Sequence, residues 1–490
     1  MYVEHFMIET PPQPGLAHKL RHLPYEWIVA AAFVLAVFMD ILDVTIVNVS
    51  LFKISTDLNA SLPSTTWIVL GYSLSLAIWI PISGWVGDRF GTRRTFIFAL
   101  FMFVLASFLC GEATSISQLV TFRVLQGVGG GMLTPTGITL LFRAFPPERR
   151  ARASSILAIP TVLAPASGPV LGGWLTDTVG WRWIFRVNIP IGMIALAVAV
   201  FGLKKDDDST RRPLDVPGVV LASLGFPAVV YFFERGAEEG WLSARIIVVG
   251  IVGVVSLVGL WWWSYRTPKP MLDLRLLKDR LFGVTNAVSF AYTMAFLGTV
   301  FVLPQFLQRV AGYTALESGL TTFPQAIGAL ITSRFAGKWY PRLGPRKMLF
   351  MAYIGMGVFS IGFMFITIST NHWTIRGLMF VRGLFLAFAF IPLQAASYAK
   401  ISPEATGRAS AIFSTQRQLA GAVGVAVLST VLASTIPQKF GRSVVAHELV
   451  DRYTTAFHWT FFAATLLTFL AAGLSLLVRD EDAKATMVRR

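Results

Sequence analysis

Residues 84–94 read GWVGDRFGTRR, and residues 337–347 repeat the pattern as GKWYPRLGPRK. A second pair, RASSI at 152–156 and RASAI at 408–412, recurs at nearly the same offset of about 255 residues. Membrane transporters are often built from two related halves around a site at the middle of the bilayer. Two matches at one offset therefore predict a duplicated chain.

The composition of the 490-residue chain predicts a membrane protein. It is 54% hydrophobic and 14% charged, with a mean hydropathy of +0.63, whereas a soluble protein carries about 25% charged residues. The single cysteine, Cys110, excludes disulfides and thiolate metal clusters. The first apolar run begins near Trp27 and is long enough to span, so we expect it to stay as an anchor and not to be cleaved as a signal peptide.

The apolar runs predict an all-α integral membrane fold with fourteen spans, because one crossing needs about 20 apolar residues of helix. The predicted spans are 27–50, 64–86, 95–112, 118–141, 153–175, 183–203, 214–235, 243–264, 281–307, 315–337, 347–370, 374–397, 408–434 and 456–478. The spans at 214–235 and 243–264 have no counterpart in either half. The predicted organisation is a tail at 1–26, a six-helix bundle at 27–203, an inserted helix pair with linkers at 204–280, a second six-helix bundle at 281–478 and a tail at 479–490.

The chain is strongly basic, with 42 Lys and Arg against 26 Asp and Glu and a net charge of +16. The basic residues gather in short tracts between apolar runs, as at 89–94, 149–152 and 204–205. The connections that the predicted topology places on one face, with the two tails, hold about 28 of the 42, and the opposite connections hold about eight. By the positive-inside rule this pattern predicts a multi-pass protein of the cell membrane with both termini cytoplasmic, and not a nucleic-acid-binding surface.

Two carboxylates lie inside the first predicted span. Asp40 and Asp43 are three residues apart, so they share one helix face, and we expect them to look into a common cavity. An ionised carboxylate at the bilayer centre costs about 2.5–3.5 kcal/mol unless it is paired, wetted or protonated. Burial and a neighbouring carboxylate both favour the protonated form, so this pair is a candidate for carrying protons. The alternative is that one of them only hydrogen-bonds to the fourth span.

Arg123, in the fourth predicted span, is the natural counter-charge to these carboxylates. A guanidinium stays charged at any relevant pH, so only the carboxylate changes state. The alternative is that Arg123 lies near one membrane face and extends its charge into water.

Four motifs, in order, resemble those of the major facilitator superfamily, and specifically its fourteen-spanning drug/proton antiporter branch of the EmrB/QacA type. They read LDVTIVNV at 42–49, GWVGDRFGTRR at 84–94, RVLQGVGGG at 123–131 and GPVLGG at 168–173. The signatures GWRWIF at 180–185 and LDVPG at 214–218 extend the resemblance over nearly the whole chain. It implies the major facilitator fold with two inserted helices. It also implies multidrug efflux of amphipathic or cationic molecules by alternating access, driven by the proton gradient without a cofactor, in a monomer.

The resemblance also implies roles for particular residues. A conformational latch at the cytoplasmic ends comprises Gly84, Asp88, Arg89, Gly91, Arg93 and Arg94. Asp88 is expected to precede the third span, whose helix N-terminus favours an anion; a solvated charged turn is the alternative. The antiporter motif comprises Gly168, Pro169, Gly172 and Gly173, on a span expected to pack closely and rock against the other half.

The substrate cavity is weakly encoded. Aromatic, amide and basic side chains suited to lining it are Trp67, Tyr72, Gln126, Phe290, Tyr292, Gln305, Gln325 and Arg417. Aromatic faces would suit an amphipathic cation, although ordinary packing is the alternative for each aromatic residue.

Other classes of function are disfavoured. No phosphate-binding loop of the Gly-x-x-x-x-Gly-Lys-Ser/Thr type occurs, so an ion gradient is the expected energy source. We expect no enzymatic activity, because the six histidines, His458 among them, are predicted in tails, loops or helix ends. A channel or a scaffold is also disfavoured, because neither function requires paired acidic and basic residues within duplicated halves. Within transporters, export of an endogenous lipid, siderophore or other hydrophobic metabolite stays open.

Overall fold

The computed structural model describes residues 24–60, 62–205, 213–435 and 446–487. The predicted tail at 1–26 lies outside these residues except for its last three, as do residues 206–212 of the linker and 488–490 of the second tail. All regular secondary structure in the described ranges is helical.

Fifteen α-helices follow one another along the described chain. The first helix group comprises α1 (Tyr25–Asp57), α2 (Leu62–Phe90), α3 (Thr92–Glu112), α4 (Ile116–Ala144), α5 (Arg150–Thr178), α6 (Trp183–Arg186) and α7 (Asn188–Gly202). The inserted pair is α8 (Val216–Glu239) and α9 (Ala244–Arg266). The second helix group comprises α10 (Arg280–Arg309), α11 (Ala315–Thr322), α12 (Pro324–Ile361), α13 (His372–Ser397), α14 (Thr406–Thr435) and α15 (Ala446–Ser475).

Eleven helical stretches of the described residues are long and apolar enough to cross a membrane, where the sequence predicts fourteen spans. Helices α4 and α5 are not among the eleven. The region 316–365 counts as one stretch of 50 residues. The protein is therefore multi-pass and all-helical.

The two copies of the repeated motif bend the chain at equivalent glycines. Gly91 has a φ of 93° and separates α2 from α3. Gly344 has a φ of 75° and breaks α12, which is otherwise helical through the predicted loop. Positive φ is readily adopted by glycine. After the break, the carboxylate of Asp480 accepts a hydrogen bond from Arg346 N at 2.9 Å and so caps the continuing helix.

Two predicted boundaries differ from the structure by nine and ten residues. The span predicted at 347–370 ends as an α-helix at Ile361, and a short 3-10 turn follows to Phe365. Helix α15 begins at Ala446, ten residues before the predicted start, so His458 lies inside a helix and not at its end. Its Nε2 lies 2.7 Å from Ile366 O, which explains how a polar ring is accommodated there.

The inserted pair is fastened by Asp215. Its carboxylate caps α8 by accepting from Gly218 N at 3.1 Å, and it also accepts from Trp263 Nε1 of α9 at 2.7 Å and Met271 N of the linker at 2.9 Å. Helix α8 packs against α2 of the first group and α14 of the second. The insert therefore lies along one of the seams between the two groups.

The two groups also contact each other directly. Helix α14 packs against α2 and α4, and α5 packs against α11, α12 and α13. Within the first group, α1 packs against α5 and α7, and α4 against α2 and α3. This arrangement brings side chains of α1, α4 and α7 to one place inside the first group.

Candidate functional site

Asp43 lies in a closed polar network where α1 meets α4 and α7. Arg123 Nη1 donates to Asp43 Oδ2 at 2.5 Å, and both side chains are almost completely buried. Asp43 Oδ1 accepts from Gln126 Nε2 at 3.0 Å and from Asn188 Nδ2 at 2.9 Å. Arg123 is oriented in turn by Gln126 Oε1 at 2.7 Å and Ile68 O at 3.2 Å. The carboxylate thus has a charge partner and two amide donors.

Asp40 belongs to a separate, half-buried group on the same side of α1. Tyr72 donates its hydroxyl to Asp40 Oδ1 at 2.6 Å, and Thr134 donates to Asp40 Oδ2 at 3.3 Å. The ring of Tyr72 lies 4.2 Å from the guanidinium carbon of Arg123. The sequence led us to expect that the two carboxylates face one open cavity. In the structure they do not, because different side chains hold each carboxylate: Tyr72 and Thr134 hold Asp40, and Arg123 with two amides holds Asp43.

The surroundings of Arg123 and of the two carboxylates bear on the alternatives that the sequence left open. Arg123 is 1% exposed and packs against the rings of Tyr72 and Phe185, so it does not reach a membrane face. Asp43 forms an ion pair with Arg123 of α4. Asp40 accepts a hydrogen bond from Thr134 of the same helix and forms no ion pair within the described residues, so the alternative of a simple hydrogen bond to the fourth span stays open for Asp40.

Sequence reasoning missed two neutral members of the network. Asn188 begins α7 and is fully buried, with its amide donating to Asp43 and to Ser107 Oγ at 3.1 Å. Ser107 in α3 is also fully buried. The sequence did contain a signal for Asn188, because it is a polar residue directly before the apolar run of α7. No comparable signal marked Ser107.

The motif at 84–94 lies where the two helix groups touch. A Cβ added at Gly84 would lie 3.1 Å from Gly407 O and 3.2 Å from Ala411 Cβ of α14. Asp88 sits in the last turn of α2, and a Cβ added at Gly407 would be 3.4 Å from its Oδ1. Asp88 precedes α3, which begins at Thr92, and Thr92 lines the same small pocket as Asp88 and Gly407. The N-terminus of α14 in the other group is therefore a second helix N-terminus near Asp88.

The basic residues around this contact reach different partners. Arg93 Nη2 donates to Val200 O of α7 at 2.7 Å, within the first group. Arg89 is half-buried and Arg94 is exposed. Arg143 donates to Thr92 Oγ1 at 3.0 Å and to Pro403 O of the second group at 3.4 Å. Thr92 thus receives a basic side chain from α4.

Two further contacts join the groups at this end. Arg150, the first residue of α5, donates to Tyr398 O at the end of α13, and Ser410 of α14 donates to Pro135 O of α4 at 2.7 Å.

The glycines of the antiporter motif pack within their own group. A Cβ added at Gly168 would lie 2.6 Å from Thr45 Cβ of α1, and one at Gly172 would lie 2.9 Å from Ile46 Cγ1. Gly173 has no atom within 4 Å of such a Cβ. The span that carries the motif does pack against the other half, through α11, α12 and α13, although Gly168 and Gly172 face α1. Pro169 lies on the side of α5 that faces α11, since a Cβ added at Gly319 would be 3.3 Å from Pro169 Cβ.

The predicted substrate-cavity residues lie in both helix groups, and their lining of one cavity stays a prediction. Tyr72 and Gln126 belong to the carboxylate networks. Trp67 packs against Tyr231 of α8, with ring centroids 6.3 Å apart. Phe290 lines a cavity of about 760 Å³ beside α8.

The remaining candidates lie in the second group. Tyr292 is buried with its ring 5.1 Å from that of Tyr353, and Gln325 is buried in α12. Gln305 donates to Phe301 O at 3.4 Å, and Arg417 lies 6.0 Å from the Phe390 ring.

The second group has a buried arginine without a carboxylate. Arg382 of α13 is 2% exposed, lies 5.4 Å from the Phe363 ring and forms no ion pair within the described residues. The two repeat offsets of 253 and 256 residues match Asp43 to Phe296 and Thr299, and neither of these is charged. The two groups therefore differ in charge at related positions.

Comparisons with known proteins agree with this architecture. A family model described as Major Facilitator Superfamily matches residues 33–425. Multidrug export protein EmrB of Escherichia coli (strain K12) is 33% identical over 414 residues, covering 82% of this chain and 79% of that protein. Fatty acid resistance protein FarB of Neisseria gonorrhoeae is 34% identical over 428 residues, covering 86% and 82%.

A solved structure shares the fold. The crystal structure of the human organic anion transporter MFSD10 (TETRAN) aligns with a TM-score of 0.61 over 91% of this chain and 100% of that chain, at 13% sequence identity. The matched region contains the Asp43–Arg123 network and the contact between α2 and α14. The chain therefore belongs to the major facilitator superfamily, whose members are transporters and generally not enzymes, and its relatives are those of the EmrB-type drug/proton antiporter branch.

Proposed function

We propose that the protein is a proton-coupled antiporter that exports amphipathic or cationic small molecules across the cell membrane. The observation that carries the proposal is the buried ion pair of Asp43 and Arg123, 2.5 Å apart. Protonation of Asp43 would leave the guanidinium of Arg123 without its counter-charge. Removing one partner of a buried pair costs about 3–5 kcal/mol. Proton binding at Asp43 therefore favours any conformation in which Arg123 finds another partner or water.

The free energy that one proton gains by crossing the membrane is of the same order as the cost of breaking the buried ion pair. One elementary charge crossing about 100 mV supplies about 2.3 kcal/mol, which sustains roughly a 50-fold gradient of a neutral solute. A monovalent cation exchanged for one proton gains nothing from voltage. Asp40, half-buried beside Tyr72, is our candidate for a second proton site that would restore the electrical drive.

Alternating access is the proposed cycle. The contacts of Gly84 with α14 and of Arg150 with Tyr398 hold the two groups together at the end that carries the basic connections. We propose that these contacts separate and re-form as the site is exposed to each side in turn. Gly84, Asp88 and Gly91 then act as the latch, with the neighbouring arginines.

We further propose fourteen spans in a monomer with both termini cytoplasmic. Helices α4 and α5 have 29 residues each, and the break at Gly344 divides the stretch of 50 residues. A helix rises about 1.5 Å per residue, so 29 residues reach about 43 Å and exceed the hydrocarbon core of about 30 Å. Adding these three to the eleven stretches gives fourteen.

The test is transport by the Asp43→Asn variant in liposomes containing a pH dye. The variant should insert and fold, yet show no proton flux on substrate addition and no accumulation driven by an imposed pH gradient. The control is Asp57→Asn at the end of the same helix, where the carboxylate pairs with Lys53 at the surface. Full gradient-driven transport by Asp43→Asn would reject the assignment.

A second candidate is export of a hydrophobic anion such as a fatty acid, alongside the wider class of lipids, siderophores and hydrophobic metabolites. The name of the relative FarB favours it, as does the buried guanidinium of Arg382, which has no ion pair among the described residues. Export of radiolabelled oleate and of a lipophilic cation should be compared in wild type and in Arg382→Gln. Loss of oleate export alone would support this candidate, and equal effects on both would contradict it.

A further inference from the structure

The C-terminal segment, a 3-10 turn at Asp480–Thr486, folds back onto the second helix group. It packs against α12 and α13, and its residues Ala483 and Thr486 are fully buried. Thr486 Oγ1 lies 2.7 Å from the hydroxyl oxygen of Tyr340 of α12, which is equally buried. The chain after the last α-helix is therefore part of the packed structure as far as this residue.

Asp480 supplies the carboxylate that the second copy of the repeated motif lacks. In the first copy Asp88 carries a carboxylate, whereas the second copy has Pro341 at that place. Asp480 accepts a hydrogen bond from Arg346 N at 2.9 Å, and a Cβ added at Gly344 would lie 2.6 Å from the carboxyl carbon of Asp480. The carboxylate therefore caps the helix that resumes after Gly344, and only glycine leaves room for it there.

Three consecutive acidic residues of the C-terminal segment have different surroundings. Asp480 caps α12, and Asp482 pairs with Lys400, which follows α13, at 2.6 Å. Glu481, between them, is exposed and forms no hydrogen bond or ion pair within the described residues. The segment is therefore attached to the second group through its first and third carboxylates.

The same segment also reaches the first helix group. It packs against the 3-10 turn Pro147–Arg149, which connects α4 to α5. That connection is fixed to α1 by Arg149, whose guanidinium pairs with Glu26 at 2.9 Å. It is also basic, with Arg149, Arg150 and Arg152, and so opposite in charge to the three carboxylates of the segment. Both helix groups are therefore in contact with one short stretch of chain.

This contact lies at the end of the molecule where the two groups touch. Arg150, next to the turn, donates to Tyr398 O at the end of α13, and Arg143 of α4 donates to Pro403 O. A segment that is fixed to one group keeps its contact with the other only while this end is closed. The contact therefore stabilises the closed state alone.

We propose that the C-terminal segment is a strap that keeps this end of the transporter closed. Asp480 and Asp482 hold it on the second group throughout the cycle, and its contact with the turn at 147–149 forms in the closed state and is lost in the open one. Asp480 is the positioning residue, because it fixes the segment at the break at Gly344. The inference rests on the proposed alternating-access cycle, since it requires the two groups to separate at this end.

The experiment measures how often this end opens, from the rate at which a buried cysteine reacts with a water-soluble maleimide. Thr139→Cys of α4 is the reporter, because Thr139 is 2% exposed and its Cγ2 would lie 3.9 Å from a Cβ added at Gly407 of α14. The full chain is studied in lipid nanodiscs without an ion gradient. The reactivity of Cys110 is measured separately in the chain without the reporter.

Three variants separate the helix cap from the charge of the segment. Asp480→Ala removes the cap and should raise the labelling rate of the reporter about fivefold, since loss of a helix cap changes an equilibrium by about two- to thirtyfold. Glu481→Ala is the matched control, because it removes the neighbouring carboxylate that has no partner, and it should leave the rate unchanged. Asp480→Asn keeps an oxygen acceptor for Arg346 N and should stay within about twofold of wild type.

A second reporter separates opening of the groups from loosening of the second group itself. Ala352→Cys lies in α12 beyond the cap, at a position 1% exposed in the core of that group, and should stay unlabelled in every variant. Thermal unfolding verifies that each variant is folded. If Asp480→Ala is not, Asp482→Ala weakens the other attachment and provides the test, with an expected rise of about threefold.

Failure of the strap and failure of alternating access give different results. An equal labelling rate of Thr139→Cys with and without Asp480→Ala, or the same rise in Glu481→Ala, would overturn the strap alone. Labelling of Ala352→Cys in Asp480→Ala would also overturn it, because the segment would then only stabilise the second group. If Thr139→Cys reacts in no chain, the groups do not separate at this end, and the alternating-access cycle is rejected together with the strap.

Discussion

Asp43 and Arg123 show why two charges are tolerated inside an apolar helix group. The carboxylate accepts from a guanidinium and two amides, and the guanidinium is held by an amide oxygen and a backbone carbonyl. Replacing a whole buried pair is often nearly neutral for stability, whereas removing one partner is costly because the other stays charged and dehydrated.

This asymmetry predicts the stability of variants at the pair. Arg123→Met should lower the free energy of unfolding by about 3 kcal/mol or more, because Asp43 loses its cation. Asp43→Asn combined with Arg123→Met should recover most of that loss. The measurement is thermal unfolding in detergent, followed by the fluorescence of the tryptophans. A double variant no more stable than Arg123→Met alone would show that the pair is not the source of the effect.

The charged part of this site was predictable and the neutral part was not. Asp43 and Arg123 stand out because a charge in an apolar span is rare and costly. Asn188 and Ser107 carry no such penalty, and they come from helices far along the chain. The spacing of Asp40 and Asp43 correctly indicated one side of α1. It could not show that Tyr72 and Thr134 hold Asp40 apart from Asp43.

At the scale of single helices, α5 shows how glycine sets a close helix contact. Gly168 and Gly172 face α1, and Gly173 faces open space one residue on. Small residues allow helix backbones to approach in a membrane.

Gly168→Ala and Gly173→Ala form a matched pair of variants. We expect Gly168→Ala to slow export by tenfold or more and to lower the unfolding temperature, because its methyl group would overlap Thr45. Gly173→Ala should stay within twofold of wild type, since nothing lies within 4 Å. The readouts are the initial export rate in liposomes and thermal unfolding. Similar losses in both variants would argue against a specific contact between α5 and α1.

The contact between α2 and α14 allows a second comparison. Gly84→Ala would place a methyl group 3.1 Å from Gly407 O, tighter than ordinary contact, whereas Gly87→Ala would have its nearest atom, Thr92 Oγ1, at 3.8 Å. We expect Gly84→Ala to slow export several-fold by loosening the latch, with Gly87→Ala unchanged. Export rates per mole of reconstituted protein measure this. Unchanged export in Gly84→Ala would remove Gly84 from the latch.

Helix boundaries were predicted less well than helix existence. The sequence locates a membrane span by its apolar residues. The helix itself can extend beyond the apolar stretch into water, so its ends do not coincide with those of the span. Helix α12 therefore runs through the predicted loop, interrupted only in backbone angle at Gly344. The second copy of the motif has Pro341 in place of the aspartate, and Asp480 from the distant C-terminal segment supplies a carboxylate near that break. A contact of that kind has no local sequence signal.

At the scale of the whole molecule, the repeat offset predicted two related helix groups, and the equivalent breaks at Gly91 and Gly344 agree with it. The place of the inserted pair was not predictable, because an insert has no repeat partner from which to infer neighbours. It lies along the seam between α2 and α14, fastened through Asp215.

The number of crossings is best tested between α9 and the C-terminal segment. A continuous helix of the 50 residues at 316–365 would be about 75 Å long, more than twice the hydrocarbon core of about 30 Å. We expect the chain to reverse at Gly344 and cross twice. Six crossings then separate Lys269 from Arg479, and these residues lie on the same side. If residues 316–365 crossed only once, five crossings would separate Lys269 from Arg479, and these two residues would lie on opposite sides of the membrane.

Labelling with a membrane-impermeant maleimide reads these sides directly. Cys110 is fully buried and gives no background. Leu242→Cys, at a loop position 89% exposed, should react in intact cells. Lys269→Cys and Arg479→Cys should react only in inside-out vesicles, because the positive-inside rule places their basic connections in the cytoplasm. If Lys269→Cys and Arg479→Cys were labelled from opposite sides, fourteen crossings would be excluded. Gly344 would then be a bend within a single membrane crossing.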